Sequence, residues 1–290
     1  MAAELTLFSI PRSFEGHVAL IQRNALAAWR RLAPDVEIVL FGADAGVREA
    51  AAEFGAAHEP TVGLSDSGTP LVSDAFARAA ARSRRPLLMF SNADMLYDET
   101  IVAAARLMAQ RQRFLLSGRR TDSDVTTDLT ALSHTEWAGV LGRSRAGDPL
   151  HGPAGMDYFL FPREMPLSFP PMAVGREGWD SWLVWHCRTE RIPVIDATAA
   201  VTAVHQNHGY AASGLGQRHR YGPERDMNIR AGGGLSRMFT LREATLHLKD
   251  GRLVPPPLGR RVLAALAPMA AYQQLLGFSR TIRGWAATGR

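Results

Sequence analysis

A single cysteine, Cys187, in a chain of 290 residues excludes an intramolecular disulfide and any cysteine-rich zinc site. It fits a reducing compartment, and the expected location is the cytoplasm. Lysine is nearly absent, so the formal net charge of +5 and the pI of about 9.9 rest on arginine. That modest excess suits anionic ligands or a membrane surface without demanding nucleic acid. The arginines are scattered through helices rather than gathered in a patch with interleaved aromatics, which argues against a nucleic-acid partner. No run of 18 apolar residues occurs, so no segment reads as a membrane span. The opening stretch MAAELTLFSIPRSFEG lacks the basic lead of a signal peptide. No repeat of solenoid length is found. With 46% hydrophobic and 21% charged residues, the composition is that of an ordinary globular chain with a substantial core.

What the chain does contain is alternation of strand-like and helix-like segments. ELTLFSIP is a β-type run stopped by Pro11, and the helical pattern through Val18, Leu20, Ile21, Leu26 and Trp29 ends at Pro34. DVEIVLFG is a second strand, and DAGVREAAAEFGA is a short helix closed by Gly55. A polar Gly/Ser loop, HEPTVGLSDSGTP, precedes the helix LVSDAFARAAARSR and the strand PLLMF; DETIVAAARLMAQR and FLLSGR complete the series. Such alternation predicts βαβ units and a mostly parallel α/β sheet flanked by helices. Residues 119–155 are polar and turn-rich and read as a long functional loop or a mobile segment. Beyond them come a strand in MDYFLFPREM, a helix in GWDSWLVWHCRTER, and one strand with a His-rich end in IPVIDATAAVTAVHQNHGY. Asp250-Gly251 between alternating runs predicts a hairpin, followed by a helical tail interrupted near Pro268.

Three polar clusters punctuate this frame. In LLMFSNAD, Asn92 and Asp94 lie two residues apart where an apolar strand ends, so their side chains share one side of an extended chain. Hard divalent cations take such oxygen ligands and keep open positions for phosphate oxygens; the alternative is that the pair caps the helix beginning near Asp98 or stabilises a turn. In VGREGWDSW, Asp180 opens a helix, where it either caps the N-terminus or serves as a general base for a hydroxyl nucleophile, with Trp179 beside it as a platform for a sugar ring. In AVHQNHGY, His205 and His208 follow an apolar strand and either complete a metal sphere begun by Asp94 or bond to backbone.

Taken together and in this order, the chain resembles the GT-A class of nucleotide-sugar glycosyltransferases, of the family-2-like kind, over roughly residues 4–210. SNAD stands where that class carries Asp-x-Asp, with Asn92 replacing the first aspartate; GREGWD stands for the acceptor-side acidic segment, and His205 or His208 for a late metal ligand. The resemblance implies a GT-A-like, Rossmann-type catalytic domain over 1–210, with a nucleotide half at 1–118 and an acceptor half at 119–210. A C-terminal extension over 211–290 then carries the hairpin and a basic amphipathic helix. It implies transfer of a sugar from a nucleotide-diphosphate sugar to a hydroxyl acceptor, glycan or lipid-linked, assisted by Mn²⁺ or Mg²⁺ at Asn92, Asp94, His205 and His208. Asp180 would deprotonate the acceptor if the reaction inverts; if it retains, Asp180 has another role. The same resemblance turns the loops after the first two strands toward the nucleotide, so that Arg12, Asp44, Asp74, Asn92 and Arg176 become donor contacts, although Arg176 could equally pair with Glu177. Competing readings are a non-catalytic nucleotide-sugar-binding protein with a degenerate metal motif, and a sugar-phosphate nucleotidyltransferase. The latter needs a glycine-rich loop after the first strand, where SIPRSFEG has one glycine. In the tail, Arg260, Arg261, Arg280, Arg283 and Arg290 flank Leu263, Leu266, Met269, Leu275, Leu276, Phe278 and Trp285. Such a helix either packs on the catalytic domain or rests on the inner face of an anionic membrane.

Overall fold

The computed structural model describes residues 4–208 and 222–288, with side chains to residue 280. The boundary at 210/211 and the side chains of Arg283, Trp285 and Arg290 fall outside them. The first half runs β1 (Leu5–Ser9), α1 (Gly16–Leu32), β2 (Glu37–Phe41), α2 (Val47–Glu53), β3 (Ala57–Glu59), α3 (Val72–Arg82), β4 (Leu87–Ser91), β5 (Met95–Tyr97), α4 (Thr100–Met108) and β6 (Leu115–Ser117). The second half runs β7 (Thr121–Ser123), α5 (His134–Gly147), β8 (Tyr158–Pro162), α6 (Trp179–Thr189), β9 (Val194–Asp196), β10 (Ala203–Gln206), α7 (Pro223–Ala231), β11 (Leu246–Lys249), β12 (Arg252–Val254), α8 (Leu258–Leu266) and α9 (Ala270–Thr288).

Nine strands form one sheet in the order β12-β11-β9-β6-β8-β4-β1-β2-β3, parallel except for β8 and β12. Every residue of β1, β4 and β8 is buried. Both faces of the sheet are covered, which is why those strands read as unbroken apolar runs rather than alternating ones. Leu5, Leu7, Met89 and Leu160 enter one core with Trp29 of α1; Phe8, Phe90, Phe159 and Phe161 enter the other with Phe76 and Trp179. The expected hairpin is present: Asp250 and Gly251 both take positive φ, the demand of a type I′ turn, and β11 adds it to the edge of this same sheet. The extension after residue 210 thus completes the main sheet.

A second sheet, β5-β10-β7, was not foreseen, and it corrects two expectations. The run 192–210 is two strands in two sheets, β9 and β10, separated by the turn at Ala197–Ala200. The segment 119–155 is not one long loop, since it holds β7 and α5. Helix α5 begins in a reciprocal capping box between Ser133 and Glu136 and buries a sparse stripe of Trp137, Leu141 and Ser144. Its two internal glycines and otherwise polar surface hid that stripe in the sequence.

Candidate active site

The two sheets meet at the carboxyl end of β4. Ser91 pairs with Tyr158 in the antiparallel β4–β8 ladder, and the next step of that pairing is the Asn92 N–H donating to the Asp157 carbonyl at 2.9 Å. The side chains repeat the contact, Asn92 Nδ2 donating to Asp157 Oδ1 at 2.6 Å. In the small sheet, β10 lies between its partners, with His205 opposite Met95 on one side and Asp122 on the other. Asp94, immediately before β5, and Asp122 on β7 therefore flank His205.

The resulting cluster is continuous. Asp94 Oδ2 lies 3.0 Å from His208 Nε2 and 3.4 Å from His205 Nε2. His205 Nδ1 lies 3.5 Å from Asp122 Oδ1, and His151 Nδ1 lies 2.7 Å from Asp122 Oδ2. Arg120 bridges the two sheets: its Nε donates to Asp122 Oδ1 at 2.8 Å and its other arm pairs with Asp157 Oδ2. Gln206 steadies the end of β10, its side-chain amide donating to the carbonyls of Ile21 and Asp94 and accepting from buried Asn24.

Electrostatics follow from these contacts. Burial alone would lift the Asp94 carboxyl, but His205 and His208 hold it far below the usual carboxylate range. Burial would likewise depress the His205 imidazole, yet the charge of Asp94 and the hydrogen bonds of Asp122 and Asp94 push it up to about 10. Asp122 stays low against its own burial through His205, His151 and Arg120. Asp180 behaves oppositely. It lies in the first turn of α6, where its Oδ1 accepts from the Ser181 N–H at 2.7 Å, and burial together with the neighbouring negative charge of Asp157 raises it to about 7. A carboxyl that titrates at neutrality is suited to accept a proton in turnover.

The sequence-predicted residues separate accordingly. Asp94, His205 and His208 are brought together, each offering one ligand atom within 4.8 Å of the others. Asp94 and Asn92 do not cap α4, whose start at Thr100 is bonded instead by Asp98. Asn92 is not one of the three, and its amide nitrogen is committed to Asp157, leaving only the carbonyl oxygen for a cation. Asp180 does not cap α6, whose N-cap is Gly178. Arg12 and Asp44 are exposed on the loops after β1 and β2, which are tied together by the Phe14 N–H donating to the Ala45 carbonyl.

Two of the predicted donor contacts have partners within the protein, and one expectation needs correction. The Asp74 carboxylate accepts from the Gly63 N–H and from Arg78, both at 2.6 Å, and so secures the 60–70 loop. Arg176 pairs at 2.7 Å with Glu224, while Glu177 pairs with Arg225. Trp179 is buried among Phe76, Phe90 and Phe159, because the inward stripe of α6 begins with it, and it offers no face to a sugar.

Asp157, Arg120, Asp122 and His151 were not anticipated. The one available signal was an aspartate directly before the apolar run YFLFP, a mirror of the arrangement in LLMFSNAD. Asp157 also explains the asparagine of the motif: an aspartate at 92 would set two carboxylates at hydrogen-bond distance. Asn92→Asp is accordingly expected to destabilise the fold at pH 7 by about 1–3 kcal/mol, with the loss shrinking as pH falls. Denaturant titrations at pH 5 and 7 check this, and a pH-independent loss would contradict it.

No family model and no curated protein matches the chain. Among solved structures, it is similar to glucosyl-3-phosphoglycerate synthase from Mycobacterium tuberculosis in complex with Mn²⁺, UDP and phosphoglyceric acid, at 14% identity and a TM-score of 0.47, over 79% of this chain and 78% of that one. The same enzyme in complex with Mn²⁺, UDP-glucose and phosphoglyceric acid gives 14% identity and a TM-score of 0.49, over 79% and 80% of the two chains. A further mycobacterial protein gives 16% identity and a TM-score of 0.48, over 81% of this chain and 74% of that one.

Proposed function

We propose that the protein is a glycosyltransferase that moves a sugar from a nucleotide-diphosphate donor to a hydroxyl acceptor with the help of a divalent cation. The observation that carries this reading is the Asp94–His205–His208 trio at the strand ends, with Asp180, titrating near neutrality, on the same acidic neighbourhood through Asp157. Ligands of open α/β sheets bind at such strand ends.

The donor set fits a cation on its own evidence. Asp94 Oδ1 is buried and has no hydrogen-bond partner among the described residues, although its other oxygen holds both histidines. An orphaned buried carboxylate oxygen calls for a positive partner. Asp94, His205 and His208 would hold the ion, with the Asn92 carbonyl beside them, and when bound the ion supplies positive charge against the diphosphate leaving group. Two nitrogens and one carboxylate suit Mn²⁺ better than Mg²⁺, which prefers an all-oxygen sphere.

The chain's own residues supply the rest. Asp122 Oδ1 lies 3.5 Å from His205 Nδ1, and its charge favours a proton there, which leaves Nε2, facing Asp94, as the nitrogen that can ligate. Arg120 helps keep Asp122 ionised and pairs with Asp157 to hold both carboxylates in place. Asp180 takes the proton of the acceptor hydroxyl on its carboxylate, and the loops bearing Arg12 and Asp44 receive the nucleotide. A lipid-linked acceptor would be met at a bilayer surface, a glycan acceptor in solution.

The test is thermal stabilisation by nucleoside diphosphates and their sugars, each with and without Mn²⁺. A ligand at 100 times its Kd adds roughly 2.7 kcal/mol, a shift of several degrees. Stabilisation by one diphosphate that depends on Mn²⁺, followed by turnover of the matching sugar donor, is the expected result. Stabilisation without turnover on any hydroxyl acceptor would favour a binding protein, and no stabilisation by any diphosphate would remove the proposal.

A further inference from the structure

Six of the nine large apolar side chains exposed among the described residues lie between residues 258 and 278: Leu258, Val262, Leu266, Met269, Leu275 and Phe278. Exposed apolar residues scattered singly are ordinary, whereas a contiguous set marks a contact surface. Their spacing is helical. Leu258, Val262 and Leu266 recur every fourth residue along one face of α8, and Met269 continues that face into the bend; Leu275 and Phe278 share one face of α9. The opposite faces are already used. Ala264 and Ala267 are buried, the Ala264 carbonyl accepts from Arg188, Tyr272 donates to Glu243 at 2.8 Å, and Gly277 packs on Ser236.

Charge is concentrated in the same segment. From residue 251 to the end there is no aspartate or glutamate, and there are six arginines, at 252, 260, 261, 280, 283 and 290. The whole chain carries +5, so the 250 residues before this segment sum to −1. The basic character of the protein is therefore a property of its C-terminal helices. Arg261 is exposed on α8 next to Val262, and Arg252 is exposed on β12.

We infer that the outer faces of α8 and α9 form a docking surface for an anionic lipid bilayer, on which the two helices lie in the plane of the interface. No single described helix is long and apolar enough to cross a membrane. The α8–α9 pair turns through 102°, and spanning would tear its inner faces from the body of the protein. Exposed apolar anchors with flanking arginines and no acid complement a negatively charged interface, where each arginine contributes about a fivefold gain in binding, the equivalent of ~1 kcal/mol. The inference stands whether or not the transferase reading is correct, because its readout is lipid binding and not turnover.

The experiment is sedimentation of the full chain with vesicles of phosphatidylcholine alone and of phosphatidylcholine mixed with phosphatidylglycerol, at low and high salt. Binding to the mixed vesicles that weakens with salt, and little binding to the neutral ones, is expected. Arg261→Glu should lower the partition coefficient about tenfold or more, and Leu275→Glu combined with Phe278→Glu should abolish sedimentation. Circular dichroism and the melting temperature, both unchanged, would show these variants folded. Equal binding of the apolar double variant and the wild type would overturn the inference. So would absence of vesicle binding, including the case in which light scattering shows a dimer that the double variant dissolves, which would make this face a contact between two copies.

Discussion

Asp94→Asn is expected to lower Mn²⁺ affinity by at least about a hundredfold and to lower donor turnover in step. Asp94 is the acidic member of the trio, and its neutral isostere removes both the charge that holds His205 and His208 and the buried oxygen without a partner. Loss of mere outer partners of metal ligands already costs 10–100-fold. Isothermal titration and Mn²⁺ electron paramagnetic resonance measure the affinity directly, without reference to activity. The wild type carries a further signature. Without a cation, His205 is held protonated, its pKa pushed up to about 10 by Asp94 and Asp122 against the opposing effect of burial. A cation must displace that proton, so affinity should climb with pH through the neutral range, and binding at pH 7 should release protons, detectable in buffers of differing ionisation enthalpy. The sign for stability is the reverse. The raised histidine stabilises the cation-free fold fully below its ordinary value of 6.5 and progressively less toward pH 10, while the depressed Asp94 contributes above 3.8 and is lost on acidification. The cation-free protein should therefore draw most from this trio between about pH 4 and 6.5, and the cation-bound protein above it. Cation affinity that is flat with pH would contradict the assignment of His205.

Asp180→Asn is expected to leave cation and nucleotide affinity within about twofold of wild type while lowering kcat by 10²–10⁴, the range for removal of a general base. The wild-type rate should rise with pH through about 7, as the buried carboxyl beside Asp157 ionises, and the residual activity of the variant should lack that limb. A kcat within a few-fold of wild type would dismiss Asp180 as the base and leave it a residue of the first helical turn.

Much of this arrangement was legible in the chain, and what was not had definite physical causes. The strands of the first half announced themselves because burial on both faces leaves continuous apolar runs ended by turn residues, as in LLMFSNAD. Asp94 could be read because a carboxylate at the end of such a run has few structural uses, and His205 and His208 because they end a late strand. The direction of β8 could not be read. A five-residue apolar strand carries no mark of whether it runs with or against its neighbours, so Asp157 at its start could not be placed beside Asn92 at the end of β4. The short strands β5, β7 and β10, of three or four residues, fall below the length at which periodicity identifies a strand, and with them went Asp122 and Arg120. Trp179 misled because an aromatic residue near a helix start looks the same from the sequence whether it faces the core or a ligand.

The antiparallel position of β8, between β6 and β4, also governs how the molecule can be assembled. The first 118 residues cannot complete their part of the sheet alone, since the inner edge of β4 waits for a strand that begins 67 positions after Ser91. A nascent chain ending at residue 118 would present four apolar residues and a serine on an open ladder, an invitation to pair with another copy. The residues proposed to hold the cation, contributed from positions 94 to 208, come into register only when nearly the whole described core has closed, so functional competence and the end of folding would arrive together.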